Sequence, residues 1–413
     1  MATLLGNLFR EEALKTKDIS QITEMNYSVS YPTGFPNLDF ANGYIQEVNG
    51  EKVFELGISD GSINMLISDS GVGKTTLACQ IATNIVSPFG DNGVIFYEQA
   101  EVGTNIQRIK NLSGFSNNED FVKRFNIRDA GITVESLYKR VRMLHDLKVS
   151  RASELTYDTG LLDMTGKKIF KFIPSVVIVD SVKMVLADGN ATKDQADNME
   201  GATNAKANSN YYTRMVPLCR EANIIMLLIN HITTNIKTGP FHEKPELPYL
   251  KEGEHIAGGK SLTYIQNNIF RLDIKTKLKA GEGLNIVGSI VNIDIVKSRT
   301  NKTSRARCYL VFDQDIGYDP DLSMLIYLKE NGLLEGSGAF LKLPVCDTKF
   351  AMKNFKTILY EDKNFYNAFV DVCFNYLTKT LIDEYEKVKM EEEKRSNNAN
   401  MMPYASILAR LKK

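Results

Sequence analysis

The chain alternates short continuous apolar runs with longer segments in which apolar residues recur every third or fourth position. "SINMLI" (Ser62–Ile67), "GVIFYEQAE" (Gly93–Glu101), "SVVIVDS" (Ser175–Ser181) and "IIMLLINH" (Ile224–His231) are of the first kind. Runs this short, without polar alternation, predict strands buried on both faces. Between them, Lys74–Val86, Thr133–Val149 and Tyr211–Ala222 carry helical spacing. Further strands are expected at 269–274, 286–296 and 305–312, and the chain turns helical beyond about Pro320. This rhythm predicts an α/β fold: a mostly parallel twisted sheet flanked by helices on both faces. Ligands of such sheets sit at the carboxyl ends of the strands.

The remaining segments differ in character. Residues 1–28 predict a short helix and a polar connector, with Leu4, Leu5, Leu8 and Phe9 on one face. That face docks either on its own domain or on a neighbour. "YDTGLLDMTGKKIFKF" (Tyr157–Phe172) has two turn signals and reads as a hairpin insertion. The stretches 188–210 and 233–259 are polar and read as long loops, a length usually reserved for function or disorder. Three units follow: an N-terminal oligomerisation segment over 1–29, a core over 30–343 and a helical appendage over 344–413.

Composition narrows the choice. The chain has 413 residues, with fifty Lys and Arg balanced by fifty Asp and Glu. Any surface for nucleic acid is therefore a local patch or a set of loops. The five cysteines are scattered without metal-ligand spacing, which suits a reduced, intracellular protein. The N-terminus lacks a signal-peptide core, and the longest apolar run, Ile224–Ile229, is too short to span a bilayer. A soluble protein with no membrane partner is expected.

"SDSGVGKT" (Ser68–Thr75) fits the phosphate-loop pattern G-x-x-x-x-G-K-[ST] at every fixed position but the first. Gly71 and Gly73 stand where backbone N–H groups must turn inward and a Cβ would interfere. Lys74 suits the β- and γ-phosphates, and Thr75 offers a hydroxyl to Mg²⁺. The helix that begins there aims its positive end at the ligand. Ser68 lies farthest from the phosphates, where a small residue is tolerated. The expected nucleotide site is Ser68, Asp69, Ser70, Gly71, Val72, Gly73, Lys74, Thr75 and Thr76 with Asp180, the acid that ends an apolar strand and holds Mg²⁺ through water. Glu98 and Glu101 both follow the second strand, and either can direct an attacking water.

These motifs converge on a family. From about Tyr31 to Leu343 the chain resembles the RecA-type DNA strand-exchange recombinases, most closely the bacteriophage UvsX branch. "PTGFPNLDFANG" looks like the segment before the family's ATPase core, and "FYEQAE" is similar to the strand whose Glu activates water, which favours Glu101. "VVIVDSV" resembles the Walker B strand. "LLINH" resembles the strand whose last residue, here His231, senses the γ-phosphate. "HIAGGKSLTYIQNNIFRLD" and "VGSIVNIDIVKSRT" resemble the closing parts of the core, and Lys297 and Arg299 match a basic pair that reaches the neighbouring subunit's ATP.

The resemblance implies a RecA-like P-loop core, ATP and Mg²⁺ as cofactors, and a helical homo-oligomer on single-stranded DNA that pairs with double-stranded DNA. Mediator and single-strand-binding proteins would be its partners, in the cytoplasm of a bacterial or phage-infected host. The polar stretches fall where the family has its DNA-binding loops. Their candidate contacts are Lys193, Lys206, Lys237, Phe241, Lys244, Lys251, Gly258 and Gly259, with Arg214 and Lys260 on adjoining helices. Two other readings are open: a hexameric helicase of the DnaB type, and a nucleotide-binding assembly protein without turnover.

Overall fold

The computed structural model describes residues 28–48, 50–101, 105–115, 117–163, 166–188, 200–234, 247–256, 259–299, 306–336 and 339–397. Its centre is a ten-stranded sheet. The elements that position the site are, in chain order, β1 (Ile63–Ser68), α1 (Lys74–Val86), β2 (Val94–Gln99), α2 (Ile106–Ser113) and β3 (Phe125–Arg128). There follow α3 (Val134–Ser150), β4 (Ser175–Asp180), α4 (Glu200–Ala222), β5 (Ile224–Thr234), β6 (Glu254–Ile256) and α5 (Gly259–Ile265). The last group is β7 (Asn268–Leu278), β8 (Gly288–Ser298), β9 (Arg307–Asp313), β10 (Gly317–Asp319), α6 (Pro320–Glu330) and α7 (Lys363–Asn397).

The spatial order is β10-β9-β8-β7-β1-β5-β4-β2-β3, with β6 paired to the end of β5. From β7 to β3 every neighbour is parallel. β8, β9 and β10 continue the sheet antiparallel. The protein is thus a mixed α/β structure with a large, mostly parallel central sheet flanked by helices.

The apolar runs became the central strands because both of their faces are covered. On one face, α1 buries Leu77, Ala78, Ile81 and Ile85 against Leu66, Ile178 and Leu227. On the other, α3 and α4 bury Leu137, Val141, Tyr212 and Met215 against Met65, Val177 and Met226. Each large side chain removed from water here contributes about 1.5–3 kcal/mol. A third cluster joins α6, α7 and the last strands through Leu325, Phe355 and Phe365. α1 is also stitched to β10. Gln80 donates to the Tyr318 carbonyl at 3.0 Å and accepts from the Tyr318 N–H at 2.9 Å.

The expected hairpin is present as Thr156–Leu162 paired with Lys168–Phe172. Two expectations are corrected. The polar stretch 233–259 is strand at its ends, where Thr233 and Thr234 pair with His255 and Glu254. The polar stretch 188–210 is not loop throughout, because α4 begins at Glu200, well before Tyr211. Ala207 is packed into the cluster that α4 shares with α3, and Asn208 and Tyr212 are buried on successive turns. Among the described residues no helix is long and apolar enough to cross a membrane. The expected N-terminal helix lies outside the described residues.

Candidate functional site

β1 ends at Ser68, and the chain turns through Asp69–Gly73 before α1 starts at Lys74. The turn depends on two glycines with left-handed backbones, Gly71 at φ +78° and Gly73 at φ +94°. A Cβ on Gly73 would also stand 3.0 Å from the Tyr318 hydroxyl. That hydroxyl donates to the Val72 carbonyl at 2.8 Å and holds the loop from behind. Val72 and Thr76 are buried in this packing, whereas Asp69 and Ser70 face solvent.

Lys74 folds back over the turn. Its ammonium donates to the Ser68 carbonyl (3.2 Å), the Ser68 hydroxyl (2.9 Å) and the Asp69 carbonyl (2.8 Å). Ser68 therefore does more than tolerate its position, since its hydroxyl helps to orient the lysine. Burial pushes the Lys74 ammonium down to about 8, against the pull of Asp180, Glu101 and Asp69. A lysine held this way, amid carbonyls and without a carboxylate in contact, favours any anion that enters.

Beside it, Thr75 Oγ1 donates to Asp180 Oδ2 at 2.8 Å, and the Tyr97 hydroxyl donates to the same oxygen at 2.7 Å. Burial raises the Asp180 carboxyl above its ordinary range, and these two hydrogen bonds oppose the rise. The Thr75–Asp180 contact brings together the two groups expected to meet a divalent cation. β2 is tied to the same point, because the Ala100 and Glu101 N–H groups both donate to the Asp180 carbonyl.

His231 pairs in register with Ser68 on the neighbouring strand. Its Nε2 lies 3.1 Å from Glu101 Oε2, and its Nδ1 lies 3.4 Å from both Ser70 Oγ and Lys74 Nζ. With Nε2–H donating to the carboxylate, Nδ1 is left to accept from Ser70 or Lys74. One imidazole thus links Glu101 to the lysine.

These groups line a pocket of about 440 Å³ at the carboxyl ends of the parallel strands, closed on one side by Arg108 and Phe312. A larger cleft of about 780 Å³ opens on the other face, beside Arg271 and Arg307. Both of those arginines already hold carboxylates, Arg271 with Glu254 and Arg307 with Asp294. The smaller pocket, whose lysine has no carboxylate in contact, is the better anion site.

The chain matches no protein-family model, and no curated protein matches it.

The two glutamates of β2 and its extension part company. Glu98 is on the opposite face from Asp180, buried, with its oxygens 3.1 Å from Arg128 Nε and 2.8 Å from Arg140 Nε. These ion pairs are close but lack hydrogen-bond angles. Burial raises the Glu98 carboxyl, with Arg140 and Arg128 pulling it down. Strand alternation puts Tyr97 on the face of Asp180, behind the pocket, and Glu98 on the other face. Of the two candidates, only Glu101 reaches the pocket.

Lys297 and Arg299 are not in this pocket. Lys297 pairs through Ile269 with Met65, three residues before Ser68 and about 10 Å back along β1. Lys297 donates to the Thr263 (2.5 Å) and Tyr264 (3.2 Å) carbonyls, and Arg299 donates to the Tyr264 carbonyl. Together they cap the open carbonyls of the last turn of α5. Burial, then the nearby Arg299, lowers the Lys297 ammonium to about 8.

Of the expected DNA contacts, Lys206, Arg214 and Lys251 are exposed. Lys206 and Arg214 lie on α4, with the Arg214 guanidinium over the Tyr211 ring. Gly259 and Lys260 form the first turn of α5. Lys193, Lys237, Phe241, Lys244 and Gly258 lie outside the described residues. Sequence reasoning overlooked Tyr97, Arg108, Phe312 and Tyr318. The alternation along β2 was a sufficient signal for Tyr97, whereas Arg108 and Phe312 reach the pocket, and Tyr318 the back of its turn, from distant elements.

Proposed function

We propose that this chain is an ATP-dependent DNA recombinase of the RecA type, assembling as a helical filament on single-stranded DNA and exchanging strands with a homologous duplex. The observation that carries this reading is one pocket in which Lys74, the Thr75–Asp180 pair and the His231–Glu101 pair converge. The residues fit a magnesium-bound polyphosphate. The Gly71–Gly73 turn presents backbone N–H groups, Lys74 supplies a positive charge, and Thr75 with Asp180 would hold Mg²⁺, which withdraws charge from phosphate oxygens.

Glu101 is the only one of the two glutamates positioned to take a proton from an attacking water. His231 links that carboxylate to Lys74, so a change at the phosphate end reaches β5 and the polar stretch beyond it. Lys297 and Arg299 lie toward the amino end of the parallel strands, Lys297 level with Met65 and about 10 Å back from Ser68 of their own chain's pocket. For them to stabilise transferring charge they must act on the pocket of another copy, as an end-to-end filament provides.

The test is ATP hydrolysis with and without single-stranded DNA, with negative-stain imaging of the same samples. DNA-stimulated turnover with open helical filaments supports the proposal. Closed rings that unwind duplex would move the protein to the hexameric helicases. No turnover with intact assembly would make it a non-hydrolysing assembly protein.

A further inference from the structure

The second polar stretch leaves the sheet beside the pocket and returns to it through a buried ion pair. β5 runs on past His231, and Ile232, Thr233 and Thr234 pair antiparallel with Ile256, His255 and Glu254 of β6. The returning strand is gripped by Arg271 of β7. Arg271 Nη1 lies 2.7 Å from Glu254 Oε2, and Nη2 lies 2.9 Å from Oε1. The same guanidinium donates to the Tyr249 carbonyl at 2.7 Å and to Asp273 Oδ2 at 2.9 Å. The Arg271 side chain is 6% exposed and that of Glu254 11%.

Its place in the sheet gives this pair its meaning. Arg271 pairs in register with Ile67 on one side of β1, and His231 pairs with Ser68 on the other. Ile67 and Ser68 are the last two residues before the Lys74 turn. Both arms of the ribbon are therefore fastened to the same point, the outgoing arm through His231 and the returning arm through Glu254. A buried ion pair is a poor source of net stability compared with apolar packing, but a two-bond arginine fork sets position and angle closely.

We infer that the Arg271–Glu254 pair is a positioning clamp that makes the returning arm, Glu254–Ile256, move with the Ser68–Thr75 turn, so that the ligand state of the pocket reaches both arms of the β5–β6 ribbon. This rests on the nucleotide reading of the pocket. Arg271 and Glu254 touch no reacting group and act through β1 and β6.

The test is hydrogen exchange at the backbone amides of 254–256, with and without a non-hydrolysable MgATP analogue, alongside direct titration of the analogue. In the unaltered chain the analogue slows exchange there by about tenfold. In Glu254→Gln the slowing disappears while the dissociation constant of the analogue stays within about twofold. Loss of packing alone would instead change exchange equally in both ligand states. Glu254→Asp, which keeps the charge but is one methylene too short for the fork, gives the same readout where Glu254→Gln does not fold. Retained slowing in the variants, or none in the unaltered chain with the analogue bound, overturns the clamp alone. Failure of the unaltered chain to bind the analogue overturns the nucleotide reading and the clamp with it.

Discussion

Glu98 and Glu101 are three residues apart and belong to opposite kinds of site. Glu98 is sealed between Arg128 and Arg140 on one face of the sheet. Glu101 stands at the carboxyl end, half exposed, bonded to a histidine that touches a lysine with no carboxylate of its own. In the first region a carboxylate is held between two guanidiniums. The second holds a buried ammonium by neutral oxygens, with no carboxylate in contact. An ion cluster paired within the protein holds elements together, whereas a buried charge that lacks an ionic partner favours an incoming ligand of opposite charge.

The sharpest way to break this comparison is at Lys74. Lys74→Ala removes the only basic side chain of the turn, and we expect ATP turnover to fall by at least about 10²-fold, measured by phosphate release. Unchanged turnover would empty the pocket of its proposed meaning. Next comes the pair of glutamates. Glu101→Gln should lower turnover by about 10²-fold or more while nucleotide binding persists. Glu98→Gln should do the reverse, sparing turnover per folded molecule. It strands two arginines and costs about 3 kcal/mol, toward the low end for a buried pair because both arginines reach solvent. Chemical denaturation of the two variants separates these effects, and interchanged results would reverse the roles assigned to the two faces.

Gly73→Ala tests the turn itself. A side chain at φ +94°, pressed on the Tyr318 hydroxyl, should cost about 1–3 kcal/mol and weaken nucleotide binding. A neutral effect would mean the turn relaxes freely. The smallest expected effect concerns pH. Burial in the pocket holds the Lys74 ammonium near 8, and a bound polyphosphate would favour the charged form. Binding above pH 8 therefore requires proton uptake. Affinity should be level below about pH 8 and decline above it by at most about tenfold per pH unit. Calorimetry in buffers of different ionisation heat measures that uptake directly, and its absence would mean Lys74 is charged throughout.

Much of this was legible in the residues. The apolar runs of Ile63–Ser68, Ser175–Asp180 and Ile224–His231 had no polar alternation, so they had to be covered on both faces, and they are. α1 spans Lys74–Val86, as its spacing required. The start of α4 was not legible, because Asn and Gly are poor helix formers and the segment has no large apolar residue to show a period until α3 supplies a surface for it to approach. The ends of the second polar stretch were hidden for the same reason, since Thr234 and Glu254 pair only once the chain has returned.

The sequence by itself determined the local chemistry: a glycine-containing turn between a strand and a helix, acids at strand ends, and a histidine after an apolar run. Those features depend on neighbours in the chain and on the two periodicities of backbone structure. Tertiary structure alone decided which acid reaches the lysine through His231, that Arg108 and Phe312 line the pocket with Tyr318 holding the turn from behind, and that Arg271 grips Glu254. These contacts join residues far apart in the chain. They exist only because the strand order brings β1 between β5 and β7, which no local pattern encodes.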